Sequence, residues 1–195
     1  MRTAFVDEGL VTAPGVYRWA VKTVSDDAAD ALKSAVPTDA KIADLIALPA
    51  PHVTLGLARQ PGAESSVFQL TATLVAFKPE ADQDYHLVIH DDAGNSMIVE
   101  IPDPSILTPS CRFAAEITAA RQAFDSQFGL QMKQLQAAMA LMTAQPGQKP
   151  PPLMITNVNV PVRVIGVGYF DEIHGQTGVA PNGLELHPIL SIEFP

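Results

Sequence analysis

Alternation and helical spacing divide the chain into segments. Residues 67–77 (VFQLTATLVAF) mix β-branched and aromatic residues with imperfect alternation, which predicts a long strand. Residues 85–90 (YHLVIH) and 97–101 (MIVEI) predict two more. Asp91-Asp92-Ala93-Gly94-Asn95 lies between them as a turn, with Gly94 and Asn95 suited to positive φ, so the pair reads as a hairpin. Phe113, Ile117, Ala120, Phe124 and Phe128 then recur at helical spacing and build one apolar face. Gly129 marks an end or a kink. Met132, Leu135, Met139 and Met142 continue the helical period on a glutamine-rich segment, 130–144.

Residues 158–170 (VNVPVRVIGVGYF) read as a fourth strand, with Gly166 and Gly168 marking a bulge or a close backbone approach. A glycine-rich loop, 174–183, leads to 184–194 (LELHPILSIEF). There Leu184, Leu186, Leu190, Ile192 and Phe194 face one way, and Glu185, His187, Ser191 and Glu193 the other. Pro188 inside this strand predicts an edge position or a bulge. Proline clusters at 49–51, 102–104 and 146–152 separate elements, because proline lacks the amide donor. Upstream, 16–23 (VYRWAVKT) reads as a short strand. Residues 26–34 read as an alanine-rich helix with Ser25 as N-cap, and 38–48 as a second short helix with Ile42, Leu45 and Ile46 at helical spacing.

The expected fold is mainly β with helices, in the order β-β-β-α-β-β. That is the order of the OB-fold, a five-stranded Greek-key barrel with a helix between strands three and four. A different small barrel or an α+β sandwich is the competing architecture. We expect one domain over 1–195: an N-terminal cap, 1–52, and an OB-like barrel, 53–195, containing a helical insertion at 111–145.

Composition narrows the function classes. Of 195 residues, 47% are hydrophobic, enough for a sizeable core. The formal charge of -9 disfavours nucleic acid, which needs a basic face. Its arginines and lysines are scattered, without interleaved aromatics for stacking single strands. No run of about eighteen apolar residues predicts a membrane helix. The start, MRTAFVDEGL, has no apolar core of a secretory signal, so we expect a soluble protein. The single cysteine, Cys111, excludes an internal disulfide and a multi-cysteine zinc site. Its place before the helix predicts a lowered thiol pKa, although no Cys–His motif accompanies it.

The last block holds most of the candidate chemistry. His174, Gln176, Asn182, Glu185 and His187 lie close in sequence, and Glu185 and His187, two apart on a strand, share a face. With His174 they can bind a divalent metal or form an acid–base pair. The bland alternative is a glycine turn satisfied by Asn and Gln, beside a strand with a polar outer face. His86 and His90 stand about 13 Å apart on an extended strand at ~3.3 Å per residue, so they cannot share one metal, but one of them can join His187. Asp82, Asp84, Asp91, Asp92, Glu100 and Asp103 bracket the hairpin. They read either as magnesium or calcium ligands or as solvated turn acids, without the full spacing of a calcium loop. The Met132, Leu135, Met139, Met142 stripe suits packing on its own barrel, a homo-oligomer or another protein partner.

Four stretches together resemble a family of bacterial hypothetical proteins. They are 18–23 (RWAVKT), 84–89 (DYHLVI) with 97–104 (MIVEIPDP), 164–171 (VIGVGYFD) and 174–188 (HGQTGVAPNGLELHP). The resemblance implies a shared fold, with which an OB-like barrel agrees, and transfers no catalytic residues. The Met- and Gln-rich stretch, about 129–152, looks like an insertion beside these blocks.

Two functions follow as expectations. The first is a binding or interaction module for a protein or a small polar ligand. The second is a metal-assisted hydrolase, for instance of phosphodiesters, using Glu185, His187 and His174. Convergence of those groups with Glu100 or His86 favours the second.

Overall fold

The computed structural model describes residues 18–143 and 155–195; the 146–152 proline cluster and residues 1–17 lie outside them. A mixed sheet of six strands is combined with helices: β1 (Thr38–Asp39), β2 (Val67–Pro79), β3 (Tyr85–His90), β4 (Ser96–Ile101), β5 (Thr156–Phe170) and β6 (Leu184–Glu193). Pairing runs β1-β2-β3-β4-β6-β5, and β5 also pairs with β2, so the last five strands close a ring of pairings. β4 meets β6 in parallel at Val99↔Leu186, and β1 lies parallel to β2; the other pairs are antiparallel.

The imperfect alternation of β2 has a structural cause. Phe68, Leu70, Ala72 and Leu74 join the main core, and then Phe77 does. The register slips between Leu74 and Ala76 against both neighbours, and that slip moves the inward set by one residue. In the hairpin the period of two is unbroken. Tyr85, Leu87 and Ile89 of β3 and Met97, Val99 and Ile101 of β4 enter the same core. His86 and Glu100 are therefore thrown to the opposite face, directly across from each other in the ladder. Gly94 closes the turn at φ 82.

One helix, α3 (Ala114–Thr143), spans the whole 114–143 stretch, and Gly129 neither ends nor breaks it. Ile117, Ala120, Phe124 and Phe128 bury against the sheet, where Phe124 and Phe128 pack with Phe77 and Phe194. Met132 and Leu135 join the same core, so this half of the methionine stripe packs on its own sheet. Met139 is half-buried, and the Met142 side chain lies outside those described.

β6 is no edge strand, since β5 and β4 flank it. Pro188 sits where the β5–β6 register slips twice, beside Gly166 and Gly168, so its missing amide donor falls at a bulge. Both faces of 184–189 are buried.

The N-terminal elements depart most from expectation. Residues 19–22 form a helical turn, α1 (Trp19–Lys22), instead of a strand. Arg18 and Val24, with φ of 47 and 54, bracket the turn and prevent extension. Asp27–Ser34 is a 3-10 helix, and Ser25 does not cap it: the Ser25 hydroxyl donates to the Ala20 carbonyl. The 38–48 segment divides into β1 and a single turn, α2 (Ile42–Leu45), whose Ile42 and Leu45 reach the main core. Val24, Ala29 and Leu32 bury instead with Val67 and Val167 in a second, smaller core. No described helix is long and apolar enough to cross a membrane.

Candidate metal centre

The polar faces of β3, β4 and β6 meet in a buried cluster. β6 supplies Glu185 and His187, β4 supplies Glu100, β3 supplies His86, and the approach to β3 supplies Asp84. α1 covers them and contributes Lys22. All six side chains are largely or wholly buried.

Hydrogen-bond direction orients both histidines. A carbonyl only accepts, so His187 Nδ1 donates to the Lys22 carbonyl at 2.8 Å. Its Nε2 is thereby aimed at Asp84 Oδ2, 3.0 Å away, and Glu100 Oε2, 3.3 Å away. His86 Nε2 donates to the Thr177 carbonyl at 2.9 Å, which aims Nδ1 at Glu100 Oε1, also 2.9 Å. The loop reaches His86 because Gly178 lies flat on Val88. A Cβ there would stand 2.4 Å from a Val88 methyl. An imidazole tied through one nitrogen to a backbone carbonyl, with the other turned to carboxylates, is the usual outer-shell arrangement of a metal-ligating histidine.

Acceptors outnumber donors here. The Lys22 ammonium lies 3.2 Å from Glu100 Oε2, 3.5 Å from Asp84 Oδ2 and 3.4 Å from Asp82 Oδ2. Asp84 Oδ1 and Glu185 Oε1 are buried with no hydrogen-bond partner among the described residues. Ligand atoms of Asp84, Glu100 and His187 lie within 4.8 Å of one another, and so do those of Glu80, His86 and Glu100. Glu100 thus serves both sets. In the second set, however, the Lys78 ammonium already engages Glu80, at 2.5 Å.

The fields diverge sharply between neighbours. Burial alone would raise the Glu100 carboxyl, but the Lys22 charge and the bonds from His187 and His86 hold it well below its usual range. Burial pushes Glu185 well above its range, and the charges of Glu100 and Asp171 add to that. Burial would lower the Lys22 ammonium, yet Glu100, Asp84 and Asp82 keep it well above. His187 is pulled down by burial and by Lys22, and carried up again, past its ordinary value, by Asp84 and Glu100. Asp171 is raised, chiefly by burial.

The remaining candidates have separate places. His174 is exposed on its loop. Gln176 Oε1 accepts from the His174 amide, and its Nε2 donates to the Glu172 carbonyl and to Asp171, so Gln176 folds its own loop. Asn182 donates to the Leu45 and Leu48 carbonyls and accepts from the Leu184 amide, tying the loop to α2. Of the hairpin acids, Asp82, Asp84 and Glu100 come to the cluster. Asp91 accepts from the Ala93 and Asn95 amides in the turn, and Asp103 accepts from the Ser105 amide. Burial pushes the Cys111 thiol up, against the lowered pKa expected of a helix start. Sequence reasoning missed Lys22, whose signal was a cation inside the RWAVKT block. It also read Asp84 as one turn acid among several.

No family model, no curated protein and no solved structure matches this chain.

Proposed function

We propose that the protein is an OB-like barrel module that holds one divalent transition-metal ion at Asp84, Glu100 and His187, with His86 and Glu185 around them. The ring β2–β3–β4–β6–β5, with α3 between its third and fourth strands, supports the OB-like reading. The observation that carries the metal reading is that Asp84 Oδ1 and Glu185 Oε1 are buried without a partner among the described residues, while Asp84 Oδ2 lies against an oriented histidine. A buried carboxylate oxygen without a donor is costly, and a cation removes that cost. Mixed imidazole and carboxylate donors suit zinc, manganese or iron better than calcium, which prefers oxygen alone.

Hydrolysis is the weaker reading. It needs a substrate beside the metal, and the Asp84 and His187 side chains have 0% exposure. His174, its third expected member, is exposed.

Elemental analysis of protein purified without chelator, followed by Zn2+ and Mn2+ titration calorimetry, tests the proposal. One metal per chain is expected. His187→Ala should weaken binding by at least ~100-fold while far-ultraviolet circular dichroism stays unchanged. At a hundredfold excess over Kd the metal adds ~2.7 kcal/mol, or roughly 5–10 °C in Tm. A folded wild-type protein that takes up neither ion overturns the reading.

A further inference from the structure

The Lys22 ammonium contacts the same two oxygens, Glu100 Oε2 and Asp84 Oδ2, that face His187 Nε2. We infer that Lys22 is a built-in competitor for the metal: its ammonium holds the site while the site lacks an ion, and a divalent cation enters by expelling it. The inference rests on the metal reading above.

Four observations support it. First, an ammonium and a divalent ion on the same oxygens would sit a few ångströms apart in a buried place, where like charges repel strongly. Second, the ammonium fits the site loosely. Its three carboxylate contacts run from 3.2 to 3.5 Å, longer than a well-formed charge-assisted bond, and Asp84 Oδ1 and Glu185 Oε1 stay unpaired beside it. Third, the side chain has a way out. Lys22 is 15% exposed, and Asp82, the carboxylate on the outer side, is 24% exposed. A flexible four-carbon stem can swing the ammonium to solvent without moving the backbone. Fourth, the Lys22 carbonyl accepts from His187 Nδ1. That bond orients His187 whether the ammonium is in or out, so expulsion leaves the imidazole lone pair aimed at the ion.

The expected behaviour is a site tuned against monovalent ions and weak divalent binders, because each must displace a resident cation. Lys22→Met keeps the stem and removes the competitor, so it should bind Zn2+ at least ~10-fold more tightly than the wild type.

Amine labelling of the full-length wild-type protein, read by peptide mass spectrometry with and without Zn2+, tests this directly and needs no variant to fold. Lys22 should become several-fold more reactive when Zn2+ binds. Lys33, 56% exposed on the 3-10 helix, serves as the internal reference and should not change. Zn2+ binding with unchanged Lys22 reactivity, or with equal affinity in a folded Lys22→Met variant, overturns the competitor and leaves the metal site standing. No Zn2+ uptake by either protein removes the metal site, and the competitor with it.

Discussion

Two buried ionic clusters tie the start of the described chain to the sheet, and they are built differently. In the first, Arg18 donates to the carbonyls of Leu57, Ala58 and Phe170 and to Glu64 Oε2 at 2.6 Å. Glu64 accepts in turn from the Gln60 and Phe170 amides. Arg59 extends the network by donating to Asp26 and to the Val21 and Glu64 carbonyls. Here both carboxylate oxygens of Glu64 have donors. In the second cluster, four residues along the chain, Lys22 faces a surplus of carboxylate, and two buried oxygens have no donor among the described residues. Both clusters are desolvated, so the contrast lies in satisfaction. The saturated one has no remaining valence and serves to hold α1 in place. The unsaturated one keeps acceptors in reserve at a cost in stability, as functional sites commonly do.

The largest effect should come from breaking the saturated cluster. Arg18→Ala strands Glu64 with its charge buried at 0% exposure, and should cost about 3–5 kcal/mol. Urea unfolding at neutral pH measures it. Replacing both partners, Arg18→Met with Glu64→Leu, should recover much of the loss, because the charge to be desolvated is gone. A single-variant cost below ~1 kcal/mol would mean that the clasp is not what holds α1.

The backbone beside that clasp gives a smaller effect. Gly168 of β5 runs against the turn carrying Glu64, and a Cβ there would lie 2.3 Å from the Ala63 carbonyl oxygen. Neither backbone is free to yield, since the Gly168 amide also donates to the Ser66 carbonyl. Gly168→Ala should therefore cost about 1–3 kcal/mol. Gly56, with open space around its Cβ position, provides the contrast: Gly56→Ala should be neutral or slightly stabilising in the same assay.

The sequence made these regions legible to different degrees. The sheet and α3 were readable because their periods are long and bury one side. Ile117, Ala120, Phe124 and Phe128 repeat at helical spacing, and 85–90 with 97–101 flank a turn. The segment from Arg18 to Leu45 was not, because its elements are short and held by distant partners. Residues 19–22 have the composition of a strand, and become helical where Arg18 reaches Phe170 and Lys22 reaches His187. Glu185 and His187 could be placed on one face by spacing alone. Their burial could not be foreseen, since a polar strand face reads as solvated until something is known to cover it. Asp84 and Asp91 look alike in the sequence; only the fold sends one to a buried histidine and leaves the other in a turn.

The smallest expected change sharpens the contrast most, because its sign is opposite. Glu185 is buried with an oxygen unpaired among the described residues, and faces Glu100 on β4, Asp84 before β3, Asp171 after β5 and the opposing charge of Lys22 on α1. Its carboxyl is held well above the ordinary 4.5, so folding disfavours its charged form. As pH rises past the ordinary value, the unfolded chain releases this proton and the folded chain retains it. Stability is lost over that interval, and the loss persists above the folded pKa. Glu185→Gln has the shape of the protonated acid, and its amide can donate to the surplus carboxylates. The variant should match the wild type in acid, then become more stable as pH rises, by on the order of 1 kcal/mol near neutrality. Thermal unfolding from pH 4 to pH 8 follows the divergence. A variant less stable than the wild type at neutral pH would mean that Glu185 has a donor after all, and that the two clusters are saturated alike.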